Sequence, residues 1–74
     1  MNQPIKTQVE CHSGYTYAQR PKSLAWEGER LEIKENQGEW QTPEGKRFQV
    51  VTEDGQVFEL IYSEKEDAWF VKKN

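Results

Sequence analysis

Apolar side chains fall on every second position over most of this chain, and the runs break at short turn-forming segments. Ile5, Thr7, Val9 and Cys11 alternate with Lys6, Gln8 and Glu10. A period of two sends successive side chains to opposite faces of a strand, so residues 5–11 read as a half-buried first strand. Ser13-Gly14 turns the chain, Tyr15-Thr16-Tyr17 reads as a short strand, and Arg20-Pro21 ends it, because Pro lacks an amide donor and restricts its predecessor. Leu24 and Trp26 precede Glu27-Gly28, and Leu31 and Ile33 follow it. A two-residue loop there pairs residue 26 with 29 and 24 with 31, which places all four apolar residues on one face.

Loop length sets the register of the later hairpins. Thr42-Pro43-Glu44-Gly45-Lys46 and Thr52-Glu53-Asp54-Gly55-Gln56 share a layout of two turn formers and a Gly between β-rich flanks. That layout predicts three-residue loops, each a type I turn closed by Gly in the left-handed region. With Pro43-Glu44-Gly45 as a loop, Trp40 pairs with Phe48. With Glu53-Asp54-Gly55 as a loop, Phe48 pairs with Leu60 and Val50 with Phe58. Asn36-Gln37-Gly38 is expected as a bulge or bend that re-aims Trp40 inward. After Glu64-Lys65-Glu66-Asp67, a four-residue loop points Trp69 and Val71 inward and Phe70 outward; a three-residue loop reverses them, and the pattern leaves both open.

No segment shows a convincing helical period. The expectation is an all-β protein: a single small antiparallel meander of about six strands, forming a bent sheet or open SH3-like barrel. Residues 1–74 form one domain, with 1–4 expected to be disordered. The predicted core is Leu24, Trp26, Leu31, Ile33, Trp40, Phe48, Val50, Phe58, Leu60 and Tyr62. Val51, Val57 and Ile61 fall on the opposite face, to be covered by the first strand or by a second copy, which makes the expected species a monomer or weak homodimer.

A chain of 74 residues makes one domain with a marginal core, since about 60% of its unfolded surface is buried at this size. Only 34% of residues are hydrophobic, but three Trp, three Tyr and three Phe are present. Such rings bury about 150–250 Å² each, so a few can carry a small core. Cys11 is the single cysteine, which excludes an internal disulfide and suits a reducing compartment. The first residues show no leader pattern, and no run approaches the roughly 20 apolar residues of a membrane span. A soluble cytoplasmic protein is expected. The net charge of −3, with acids and bases interspersed, argues against a wholly electrostatic nucleic-acid binder.

Four stretches carry a family likeness: the run from Cys11 to Pro21, Trp26-Glu27-Gly28, Trp40-Gln41-Thr42-Pro43-Glu44-Gly45, and the run from Asp54 to Leu60. Over most of residues 9–71 the chain resembles a family of small uncharacterised prokaryotic β domains, relatives of which occur as tails on proteins related to Y-family DNA polymerases. The resemblance implies an all-β fold and no established activity. Leu24 stands where a larger ring is expected, and Asn36 where an aliphatic residue is expected.

The candidate binding stretch is marked by an absence. Sixteen residues between Glu10 and Glu27 contain no Asp or Glu, where an even spread of the thirteen acids would put roughly three. The stretch holds His12, Tyr15, Tyr17, Arg20, Lys22 and Trp26. Rings beside cations suit base stacking and phosphate contact, and equally suit a protein hot spot. The plain structural reading ranks first: the tyrosines close one end of the barrel and Arg20 caps a carboxylate. A protein-binding surface of Tyr15, Tyr17, Arg20, Lys22 and Trp26 ranks second, and weak binding of single-stranded nucleic acid third.

Catalytic chemistry finds less support. Cys11 and His12 are adjacent on a strand and point to opposite faces, and a structural zinc site wants four ligands where this chain has one Cys and one His. No metal or cofactor is expected. Ser13 follows His12 with no nearby acid to orient the imidazole, and Glu59 between Phe58 and Leu60 reads as the solvated side of a strand. The glycines sit singly at turns and bulges and form no phosphate cradle. The expectation is a non-enzymatic interaction or accessory module.

Overall fold

The computed structural model describes residues 4–11 and 21–73. They form seven antiparallel strands: β1 (Ile5–Thr7), β2 (Val9–Cys11), β3 (Pro21–Trp26), β4 (Glu29–Thr42), β5 (Gly45–Thr52), β6 (Val57–Ser63) and β7 (Ala68–Lys73). The strands lie in the order β1-β7-β6-β5-β4-β3-β2, a meander from β2 to β7 with β1 beyond it. Among the described residues no helix occurs, and the all-β small barrel expected from the alternation is the observed architecture. The predicted strand at residues 15–17 and most of the predicted disordered lead, residues 1–3, lie outside the described residues.

Residues 5–11 are one run of alternation but two strands. Ile5 pairs with Val71 and Thr7 with Trp69 at one edge of the sheet. Val9 pairs with Leu24 and Glu10 with Ser23 at the other edge. Gln8 sits at the break, and its carbonyl accepts a bond from the Ala25 amide at 3.0 Å. One segment therefore bridges both edges and nearly closes the sheet. This corrects the expectation that the first strand covers the outer face of the central hairpin. A strand laid on that face would leave its own amides and carbonyls unpaired, whereas one at the edges satisfies them and blunts two exposed edges.

The hairpin at 27–28 has the expected two-residue loop, with Trp26 opposite Glu29 and Leu24 opposite Leu31. Glu27 (φ 51°) and Gly28 (φ 81°) both take the left-handed conformation that suits the twist of such a hairpin. The loop at 53–55 has the expected three residues, closed by Gly55 at φ 87°. Phe48 pairs with Leu60 and Val50 with Phe58. Buried Thr52 ties that loop together: its carbonyl accepts from the Gly55 amide at 2.9 Å, and its amide donates to the Gln56 carbonyl at 2.8 Å.

The β4–β5 turn departs from the expected layout. Thr42 pairs with Gly45 and Trp40 with Arg47, so the loop is Pro43-Glu44 alone and Trp40 does not face Phe48. Two register shifts occur in β4, between Ile33 and Glu35 and between Asn36 and Gly38. One bulge would have turned Trp40 inward; the second returns it to the outer face, where it is 44% exposed. Trp40 is thus not a core residue. Gly45 is required by close approach within the sheet: a Cβ there would lie 2.1 Å from the Tyr62 carbonyl oxygen. Asn36 faces inward opposite Val50, and its buried Oδ1 has no partner among the described residues.

The β6–β7 loop has four residues, which settles the alternative left open by the pattern. Ser63 pairs with Ala68 and Tyr62 with Trp69, so Trp69 and Val71 point inward. The Tyr62 hydroxyl donates to Asp67, which holds the turn against the strand end. The core is Leu24, Phe48, Val50, Phe58, Leu60 and Val71, with Val9, Trp26, Leu31, Ile33 and Trp69 packed around it. Trp69 lies against Phe48 and Tyr62 at centroid distances of 5.6 and 5.1 Å.

Candidate functional site

The inward alternation fills the barrel, so any site must lie on the outer face or at the ends. On the outer face the strand registers align side chains into rows. Trp40 lies opposite Arg47, Arg47 opposite Ile61, Ile61 opposite Phe70, and Phe70 opposite Lys6. The row crosses β4, β5, β6, β7 and β1, which at strand spacing spans about 19 Å. A second row holds Gly38, Gln49, Glu59 and Lys72, and Val51 faces Val57 beyond it.

Each member of the main row has a local reason for its position. Trp40 faces out because of the paired bulges, and its ring folds back over Gly38. A Cβ at position 38 would come within 2.9 Å of the ring, so glycine is what lets the indole lie down on the strand. The Arg47 Nε is 2.8 Å from Glu59, an ion pair without an aligned hydrogen bond, and this holds the guanidinium toward the second row. Ile61 and Phe70 are cross-strand partners and half-buried.

At the loop end of this row, Pro4, Ile61, Phe70, Arg47, Ser63, Glu44 and Glu66 line one groove. Glu44 comes from the β4–β5 loop and Glu66 from the β6–β7 loop. The two loops are tied side by side, since the Glu64 amide donates to the Glu44 carbonyl at 2.9 Å. The Glu66 amide donates to Ser63 Oγ at 3.3 Å. Among the described residues neither the Glu44 nor the Glu66 carboxylate takes part in an ion pair.

Of the residues singled out in the sequence, Tyr15, Tyr17 and Arg20 lie outside the described residues, as does His12. Lys22 is exposed on β3. Trp26 is half-buried, with its ring 5.1 Å from Phe58 at 60°, at the margin of the core. Lys22 and Trp26 stand four residues apart on the same strand, and the Trp26 ring is engaged with Phe58. The outer face was partly visible in the sequence, through the parity of Val51, Val57 and Ile61. Trp40 and Glu44 were not, because their placement follows from the second bulge and the shorter turn.

Among the described residues no group of three His, Cys, Asp or Glu side chains is arranged to hold a metal ion. One carboxylate has a shifted affinity for protons. The Thr52 hydroxyl and then the Gln56 side-chain amide hold the Asp54 carboxyl below its ordinary value. Both partners stabilise the charged form, which is loop architecture and not a poised acid or base. No described helix is long and apolar enough to cross a membrane. No family model, curated protein or solved structure matches the chain.

Proposed function

We propose that this protein is a non-enzymatic interaction module that holds a protein partner on the outer face of its barrel, in the cytoplasm. One observation carries this reading. Trp40, Ile61 and Phe70 lie in a single register row on a face that no described element covers. Large side chains gathered on one face, with an Arg between them, have the composition of a binding hot spot. The shape and placement of these side chains are set by backbone pairing, so the surface is pre-organised and loses little entropy on binding.

The alternative of weak single-stranded nucleic-acid binding draws on Tyr15, Tyr17, Arg20, Lys22 and Trp26. The engagement of Trp26 with Phe58 and the acidic groove rim at Glu44 and Glu66 favour the protein partner. The reading is tested by affinity isolation from the native host with wild type and with a Trp40→Ser, Ile61→Ser, Phe70→Ser triple variant, both shown to be folded. A partner held by wild type and lost by the variant is the expected result. Recovery of the same proteins by both, or of none by wild type under gentle conditions, would refute the reading.

A further inference from the structure

The groove at the loop end of the outer face has a floor and a rim of different chemistry. Pro4, Ile61 and Phe70 supply apolar surface, and Arg47 lines the groove beside them. The rim is acidic on the side of the loops, with Glu44 and Glu66 exposed and free of ion pairs among the described residues. The Arg47 charge does not neutralise them, because the guanidinium is engaged by Glu59 at 2.8 Å. Lys6, the other cation of the row, lies at its far end beyond Phe70. The chain as a whole carries −3.

Resting on the interaction-module reading, we propose that this groove binds a short extended segment of a partner protein in which an apolar side chain is closely followed by Lys or Arg. The apolar side chain sits on Ile61, Phe70 and Pro4, and the cation reaches Glu44 and Glu66. The part of the row inside the groove, Arg47 to Phe70, spans about 10 Å and accommodates about three extended residues at 3.3 Å each. A second copy of the chain fits the face less well. Centre to centre, five strands by three rows span about 19 × 14 Å, a flat outline of roughly 270 Å², against about 800 Å² per partner in a stable interface. Two copies of like net charge would also repel. Phosphate is disfavoured at the rim for the same electrostatic reason.

The test uses blocked hexapeptides with Leu-x-Arg, Leu-x-Glu or Ser-x-Arg at the centre, titrated into the full chain at low and moderate salt and followed by amide and indole NMR shifts. The expected result is saturable shifts at Ile61, Phe70, Glu44 and Glu66 with Leu-x-Arg, and at least tenfold weaker binding of the other two. Glu44→Gln with Glu66→Gln, both in exposed loops, should weaken Leu-x-Arg binding about tenfold and remove the preference over Leu-x-Glu. Equal binding of Leu-x-Glu on this face would overturn the basic ligand while leaving the interaction-module reading intact. Absence of peptide shifts on this face would overturn the inference. So would concentration-dependent shifts there without peptide, which indicate a second copy, or shifts there with a mixed-sequence oligonucleotide.

Discussion

Replacing Trp40 or Phe48 by Ala separates the observed register from the one with a three-residue β4–β5 loop. Phe48 is fully buried in the centre of the core, so Phe48→Ala removes a ring and leaves a cavity, at a cost of about 3–5 kcal/mol. Trp40 is 44% exposed. If its side chain offers roughly 250 Å², it hides about 140 Å², which at ~25 cal/mol per Å² sets an upper bound near 3.5 kcal/mol. Burial already present in the unfolded chain and the area an Ala retains bring this down to about 1–2 kcal/mol. A domain this small has about 4–11 kcal/mol of total stability, so Phe48→Ala uses a large share of it and Trp40→Ala does not. Urea unfolding followed by far-UV circular dichroism measures both without depending on the deleted indole. A cost for Trp40→Ala equal to or above that of Phe48→Ala would refute the two-bulge register. Trp40→Lys sharpens the test: on the outer face the ammonium reaches water and the chain folds, whereas an inward position would bury an unpaired charge.

Two further outcomes follow from the turns. Gly28→Ala meets nothing within 4 Å and bears only the left-handed backbone strain at φ 81°, about 1–2 kcal/mol, whereas Gly45→Ala drives a Cβ into the Tyr62 carbonyl and should be clearly more destabilising in the same denaturation assay. Asp54→Asn should lower stability at neutral pH. The folded-state carboxyl is depressed, so its contribution is present above the unfolded-state value and is lost as the pH falls through the folded one. The gap between wild type and Asp54→Asn in thermal unfolding should therefore close on acidification, and a gap independent of pH would refute the charge-based account.

The local order of this protein is written in neighbouring residues. Alternation over Phe48–Val50 and Phe58–Tyr62, broken only by Ile61, favours one inward set, and a one-residue slip would expose all of it. Glu27-Gly28 and Glu53-Asp54-Gly55 adopt the two- and three-residue loops expected from their length and their Gly, so the pairings of Leu24 with Leu31 and Phe48 with Leu60 follow from residues near each turn. These features gave the all-β architecture and most of the core before any tertiary contact was considered.

What only the tertiary structure decided involves partners distant in the chain. Gly45 looks like a left-handed loop residue beside Pro43-Glu44, but the Tyr62 carbonyl of β6 approaches it so closely that it serves as a strand residue with no room for a Cβ. The bulge at Asn36–Gly38 has a residue signature, but the one between Ile33 and Glu35 has none, so their number is not legible. It depends on how the long strand bends to meet β3 at one end and β5 at the other, and an even number leaves Trp40 outside. The split of residues 5–11 at Gln8 likewise depends on where the two sheet edges end in space. The outer row from Trp40 to Lys6 joins residues from five strands, and the groove adds two loops and Pro4. Alternation acts between neighbouring residues and is legible there, whereas a surface assembled across strands exists only once every register between them has been set.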